Sequence, residues 1–229
     1  MVGLKPAAGT AFAEQIQPEG VKMRIRTVSR ARPRCGAHTA FALLVIGCVA
    51  LGSGVIGCGT TQLGAPVSTY AVKAANDSDL ARAVETAGPK SASGRRYPSV
   101  TRWEIQWSNS FRLDAQGMCQ VDEFVPSLEV SVLMPEWTGR ESASAGLRKR
   151  WDRFIKALEF HEQGHVRHAQ QAVSNLVERV GRLGGAQNCD AAEQDFNRVV
   201  EEVLSAARSA DIRYDEKTDH GRTQGAIFR

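Results

Sequence analysis

From residue 100 to residue 111 apolar and polar positions alternate, with Trp103, Ile105 and Trp107 on one face and Arg102, Glu104 and Gln106 on the other. Period two over this length predicts a half-buried strand. A second strand region spans 119–134, where Leu128, Val130 and Val132 alternate with Glu129 and Ser131, and Pro135-Glu136-Trp137 ends it. The two read as an antiparallel hairpin. Before them, Tyr70-Ala71-Val72 reads as a short strand. Asp77 or Ser78 caps a short helix that runs to Glu85 and stops at Gly88-Pro89, and 90–98 is a Gly/Ser/Arg loop.

After the hairpin the period changes. Leu147, Trp151, Phe154, Leu158, His161, His165, Ala169, Ala172, Leu176 and Leu183 fall on one stripe of a helical wheel. This predicts a long helix from Ser142 or Ser144 to about Leu183, stopped by Gly184-Gly185. Asn188 or Asp190 caps the next helix, whose buried stripe is Phe196, Val199, Val200, Val203 and Leu204. The tail, 211–229, reads as polar and irregular. The pattern as a whole predicts an α+β domain: a small antiparallel sheet packed on a long helix, then a second helix and a polar tail.

Two positions of the long apolar stripe are histidines, and that brings in chemistry. His161-Glu162-Gln163-Gly164-His165 is an H-E-x-x-H sequence. Four residues turn an α-helix through about 400°, so both imidazoles leave one face, one turn apart. They can reach a single metal ion at about 2.0–2.1 Å each. Glu162 lies about 100° further round the helix, where it can take a proton from water at the metal. Burying two imidazoles without partners is costly, and an ion such as Zn2+ would satisfy both.

A catalytic zinc takes three protein ligands and keeps one open position. Beyond the leader described next, the chain has only His161, His165, His168 and His220. His168 shares the helix, but seven residues of helix rise about 10 Å, so His161 and His168 do not easily share an ion. His220 stands beside Gly221, which permits a tight backbone path. Glu178, Glu193, Glu201 and Glu202 are the acidic alternatives. Tyr214 is a candidate hydroxyl donor to an oxyanion.

The chain also carries a targeting pattern. Residues 1–58 read as a leader: a basic stretch with Arg24, Arg26, Arg30, Arg32 and Arg34, then an uncharged apolar run at 40–57. The run ends Val55-Ile56-Gly57-Cys58 and is followed by polar residues, which resembles a bacterial lipobox with Cys58 as the acylated residue. The alternative is an uncleaved signal anchor. Either way the chain is expected to be exported to the cell envelope, on the periplasmic face, lipid-anchored or secreted. Residues 59–67 form a linker and 68–229 one domain.

The leader also accounts for the net charge of +4. Residues 1–57 hold seven Lys/Arg and two Asp/Glu, which leaves 22 of the 29 Lys/Arg and 23 of the 25 Asp/Glu for the remainder. The domain is close to neutral and offers no footprint for nucleic acid. Of the five cysteines, Cys35, Cys48 and Cys58 lie in or at the end of the leader. Cys119 and Cys189 remain, an even pair that points to a disulfide in an exported domain.

Beyond the metal motif the chain shows Gly88-Pro89, Trp103-x-x-x-Trp107, Cys119, Pro135-x-Trp137, Trp151-x-x-Phe154, Asn188-Cys189 and Tyr214-Asp215-x-x-Thr218-x-His220-Gly221. Over about residues 70–228 it resembles a family of bacterial secreted proteins, predicted zinc-dependent proteases, catalogued as a domain of unknown function. That resemblance implies a zincin-like fold and peptide hydrolysis, and it makes His220 and the two cysteines look purposeful. The expected reaction is hydrolysis of a protein or peptide substrate, with zinc on His161, His165 and His220 and with Glu162 as general base. Two alternatives stand beside it: an envelope interaction protein that keeps a structural metal site without catalysis, and an amidase acting on cell-wall peptide.

Overall fold

The structure is a computed structural model. It describes residues 64–91 and 93–228, together with three short strands, Glu14–Ile16, Lys22–Arg24 and Thr27–Ser29. The apolar run of the leader, Cys58 and most of the linker lie outside the described residues. Among the described residues no helix is long and apolar enough to cross a membrane.

The domain is α+β. Strand β1 is Val67–Val72, helix α1 Asp77–Ala87, strand β2 Val100–Leu113, strand β3 Cys119–Trp137, helix α2 Ala145–Gly181 and helix α3 Cys189–Thr218. Strands β2 and β3 form the expected antiparallel hairpin, with Trp103 opposite Val130 and Ile105 opposite Leu128. Strand β1 pairs with the far edge of β3 and runs parallel to it, Val67 opposite Val132. The sheet of the domain is therefore mixed. Helix α1, the loop that follows and β2 all lie between β1 and its parallel partner β3, a connection long enough to bring the chain back in the same direction.

Helix starts follow local chemistry. The side chains of Asn76, Ser144 and Asn188 accept hydrogen bonds from the backbone N–H groups of Asp79, Leu147 and Ala191, capping α1, α2 and α3. Helix α2 has 37 residues and buries the expected stripe from Leu147 through Leu176. Helix α3 returns antiparallel along it, so that His165 faces Asp211 while Arg179 pairs with Glu202. Cys119, at the start of β3, and Cys189, at the start of α3, are joined in a disulfide.

Helix α3 runs to Thr218, so the expectation of an irregular polar tail from residue 211 is corrected. The buried positions Phe196, Val200, Val203 and Ala207 continue at helical spacing as Asp211, Asp215 and Thr218. The face stays buried while its chemistry changes from apolar to polar. On α2 the change falls at the matching height, where His161, Glu162 and His165 interrupt a stripe that is apolar up to Leu158 and again from Ala169.

Two apolar cores flank this polar band. One joins Trp103, Ile105 and Trp107 to the second half of α2 and to α3. The other joins β1, α1 and the end of β3 to the first half of α2, with Trp151 and Phe154 packed against Phe228.

Candidate metal centre

The band between the two cores is a cluster of side chains from both long helices and the start of β2. His161 and His165 sit one turn apart on α2, and their Nε2 atoms are 3.3 Å apart. Asp215 reaches over from α3, its Oδ1 3.2 Å from His161 Nε2 and 3.0 Å from His165 Nε2. All three residues are buried. Donors at about 2.0–2.1 Å from one tetrahedral ion stand about 3.3–3.4 Å apart, which is close to the spacing of this triangle.

The opposite nitrogen of each ring is already committed. His165 Nδ1 lies 3.0 Å from Asp211 Oδ1, and His161 Nδ1 lies 3.0 Å from Gln224 Oε1. Both partners are acceptors, so each imidazole places a proton on Nδ1 and turns its Nε2 lone pair toward Asp215. Three electron-rich atoms then converge in a buried space, and only a cation or a proton makes that arrangement favourable. The donor set, two imidazoles and one carboxylate, suits a first-row divalent ion such as zinc.

Electrostatics tell the same story. Burial alone would lower the pKa of His165, yet hydrogen bonds to Asp211 and Asp215 raise it well above the ordinary histidine value. Burial alone would raise Asp215, but its hydrogen bonds to His161, His165 and His220 hold its carboxyl far below the usual range. Asp211 is also lowered: against its burial it has His165 and His168, and Trp103 Nε1 donates to its Oδ2 at 2.9 Å.

Glu162, beside the triangle, is buried as well. Its two carboxylate oxygens accept hydrogen bonds from Ser99 Oγ and Thr101 Oγ1, each at 2.6 Å. Ser99, Thr101, Tyr97 and Pro98 form one wall of a small cleft that opens onto His161, Glu162, His165 and Asp215. His220 lines the cleft too, its ring 4.6 Å from that of Tyr97.

His220 thus reaches the site without joining the triangle. Its Nδ1 is 3.6 Å from Asp215 Oδ2, and the third position beside the two histidines is taken by Asp215. In this geometry Asp215, and not the expected His220, lies within hydrogen-bond distance of both Nε2 atoms, and His220 approaches from the turn that follows α3. Asp219, His220 and Gly221 take left-handed φ values of 47°, 50° and 84° in succession. Conformations of this kind are costly for residues other than glycine and are kept only where the surroundings enforce them. They reverse the chain past the end of α3 and lay Arg222–Gln224 back over α2. A Cβ on Gly221 would stand 3.0 Å from the ring of His161.

Tyr214, the expected hydroxyl donor, lies against His161. Its ring stacks on that of His161, with centroids 5.0 Å apart and planes 8° from parallel. Its hydroxyl donates to the carbonyl oxygen of His161 at 3.3 Å and accepts from Gln224 Nε2 at 3.1 Å. The hydroxyl is engaged by these two groups, and the residue is not among those lining the cleft. His168 holds Asp211 at 2.7 Å from the outer side and stays apart from the triangle. Glu178 and Glu202 are tied up in ion pairs with Arg182 and Arg179, Glu201 pairs with Arg208, and Glu193 is exposed.

Sequence reasoning missed Asp211, Asp215, Gln224, Ser99 and Thr101 as members of the site. Only the two aspartates carried a usable signal, the helical spacing that continues the stripe of α3. The chain matches no curated protein and no solved structure. The profile of a family described as "Bacterial protein of unknown function (DUF922)" matches residues 67–221, which contain every residue of the triangle, the cleft wall and the disulfide. On that match, which spans most of the chain, the protein belongs to the DUF922 family of bacterial proteins of unknown function.

Proposed function

We propose that the domain is a zinc-dependent peptidase of the bacterial cell envelope, with the ion held by His161, His165 and Asp215. The observation that carries this reading is the triangle of Nε2, Nε2 and Oδ1 atoms, 3.0–3.3 Å on a side, open to a cleft that also contains a buried carboxylate. Zinc held by these three residues would supply a Lewis acid for a carbonyl and for water. Glu162 would be the group that accepts a proton in the cleft and returns it to the leaving amine. Asp211 and Gln224 keep the Nδ1 protons of His165 and His161 in place, so both Nε2 atoms remain available. His220 and Tyr97 border the entrance, where they meet the substrate chain. Tyr214 serves as the wall behind His161 and not as a donor to the substrate.

The leader pattern ending at Cys58 supports export and attachment to the membrane by a lipid or a signal anchor. A protein or peptide of the envelope is then the expected substrate. A purely structural metal site would be closed by a fourth protein ligand; the cleft on this one favours catalysis over an interaction module.

The test is metal analysis and hydrolysis of labelled casein by the purified protein and by Glu162→Gln. One zinc per chain in both forms, with hydrolysis only in the parent, supports the reading. Zinc in both with hydrolysis in neither points to the interaction module, and absence of bound zinc in the parent overturns the proposal.

A further inference from the structure

Among the described residues the carboxylate of Glu162 has no ion pair within 4 Å and stands apart from the triangle of His161, His165 and Asp215. What holds it is a pair of hydroxyls from another element. Ser99 and Thr101 stand two residues apart, just before and just inside β2, so alternation along the extended chain turns both side chains to the same side. Each donates one short hydrogen bond, Ser99 Oγ to Oε1 and Thr101 Oγ1 to Oε2, both at 2.6 Å. All three side chains are buried. Neither hydroxyl is needed for the sheet, whose ladder uses backbone groups alone.

We infer that Ser99 and Thr101 are positioning residues for Glu162, a two-point latch that fixes the plane of its carboxylate toward the cleft. A carboxylate on a free side chain rotates about its last bond, and only some orientations aim a lone pair at water beside the metal. Two donors on two different oxygens remove that freedom. They leave each oxygen a second lone pair, so the group is held and can still accept a proton. Because the latch comes from β2 and the glutamate from α2, it also fixes the distance between the cleft wall and the metal-binding helix. This inference rests on the peptidase reading above and adds residues to it.

The experiment compares the parent with Ser99→Ala, Thr101→Val, the double variant and Thr101→Ser, measuring zinc per chain, zinc affinity by chelator competition, and kcat and KM on labelled casein. General bases contribute about 10²–10⁴-fold, so losing both donors should lower kcat by about 10–100-fold while KM changes by less than about two-fold. Zinc content and affinity should match the parent, and Thr101→Ser, which keeps the hydroxyl, should restore most of kcat. A double variant with parental kcat overturns the latch, and so does a loss of kcat in proportion to lost zinc. Failure of the underlying reading looks different: the parent itself then binds zinc and cleaves nothing, and the catalytic role of the latch falls with it.

Discussion

Asp215 Oδ1 stands 3.0 Å from His165 Nε2, across the imidazole from the nitrogen that Asp211 holds at the same distance. One ring is gripped at both edges by carboxylates one turn apart on α3. Without a metal ion, a proton on His165 is what reconciles the two charges, and zinc has to displace it.

This fixes the sign of two pH effects. The raised pKa of His165 gives the metal-free fold stability that is complete below about pH 6.5, the unfolded value, and is lost as pH rises through the folded one. The lowered pKa values of Asp211 and Asp215 give stability that is present above about pH 3.9 and is lost as pH falls through their folded values. Chelator-treated protein should therefore be most stable between about pH 4 and 6.5, whereas zinc affinity should rise with pH because binding releases the His165 proton. Melting curves and zinc competition across pH 5–8 check both. A melting temperature of the metal-free form that climbs steadily through that range would remove the bridging proton from the account.

Gly164 lies between the two histidines, and a Cβ placed on it would come within 2.4 Å of the ring of Tyr214. In an ordinary helix, replacing Gly by Ala gains about 0.5–1 kcal/mol. Here α3 is packed against bare backbone, so Gly164→Ala should destabilise by about 1–3 kcal/mol, the usual cost of overpacking. It should also weaken zinc binding, since Tyr214 stacks on His161. Denaturant unfolding with and without zinc separates the two effects. A more stable variant would show that the helices part easily at this point.

The elements that were legible in the sequence are those whose pattern is simple. The alternation around Trp103 and Ile105 and the long stripe of α2 both follow from one face being apolar. The end of α3 was not legible, because Asp211, Asp215 and Thr218 occupy core-facing positions with polar side chains. They face His161 and His165, and the periodicity of hydrophobic residues stops there while the helix goes on. Local rules fail at the point where function overrides them. Ser99 and Thr101 were hidden for another reason: a hydroxyl near a strand start has no distinguishing pattern until the partner helix is known. The parallel pairing of β1 depends on how α1 crosses the sheet, which no local pattern encodes.

The Cys119–Cys189 disulfide spans 70 residues of sequence and ties the start of β3 to the start of α3. Beside it, Cys119 and Ala186 exchange two backbone hydrogen bonds of 2.8 Å each. Closing a loop of this length is worth about 4 kcal/mol in the chain-entropy model. The Cys119→Ser, Cys189→Ser double variant should lose stability of that order in denaturant unfolding at fixed zinc. Because the bond lies at the far end of α3 from Asp215, zinc affinity in the folded variant should stay near the parental value. A large loss of zinc affinity would mean that the disulfide sets the height of α3 along α2.

The assignment of the third ligand makes the sharpest prediction. Asp215 and His220 both reach the site, one from the last full turn of α3 and the other from the left-handed turn beyond it. Only Asp215 has an oxygen within 3.2 Å of both Nε2 atoms, whereas His220 Nδ1 approaches Asp215 Oδ2 at 3.6 Å. If Asp215 is the ligand, His220 acts on the metal only through that carboxylate. Loss of a group that orients a ligand typically lowers metal affinity by about 10–100-fold, and loss of a ligand itself costs more. Asp215→Ala should therefore lose zinc as severely as His165→Ala does, while His220→Ala stays within the smaller range. Asp211→Asn, which keeps a carbonyl oxygen that can accept from His165 Nδ1 but removes the charge, should also fall in the smaller range. Chelator competition on the four variants distinguishes these outcomes. Zinc binding that survives Asp215→Ala and disappears in His220→Ala would mean that the turn at residues 219–221 rearranges around the ion, and that the carboxylate only supports the imidazole.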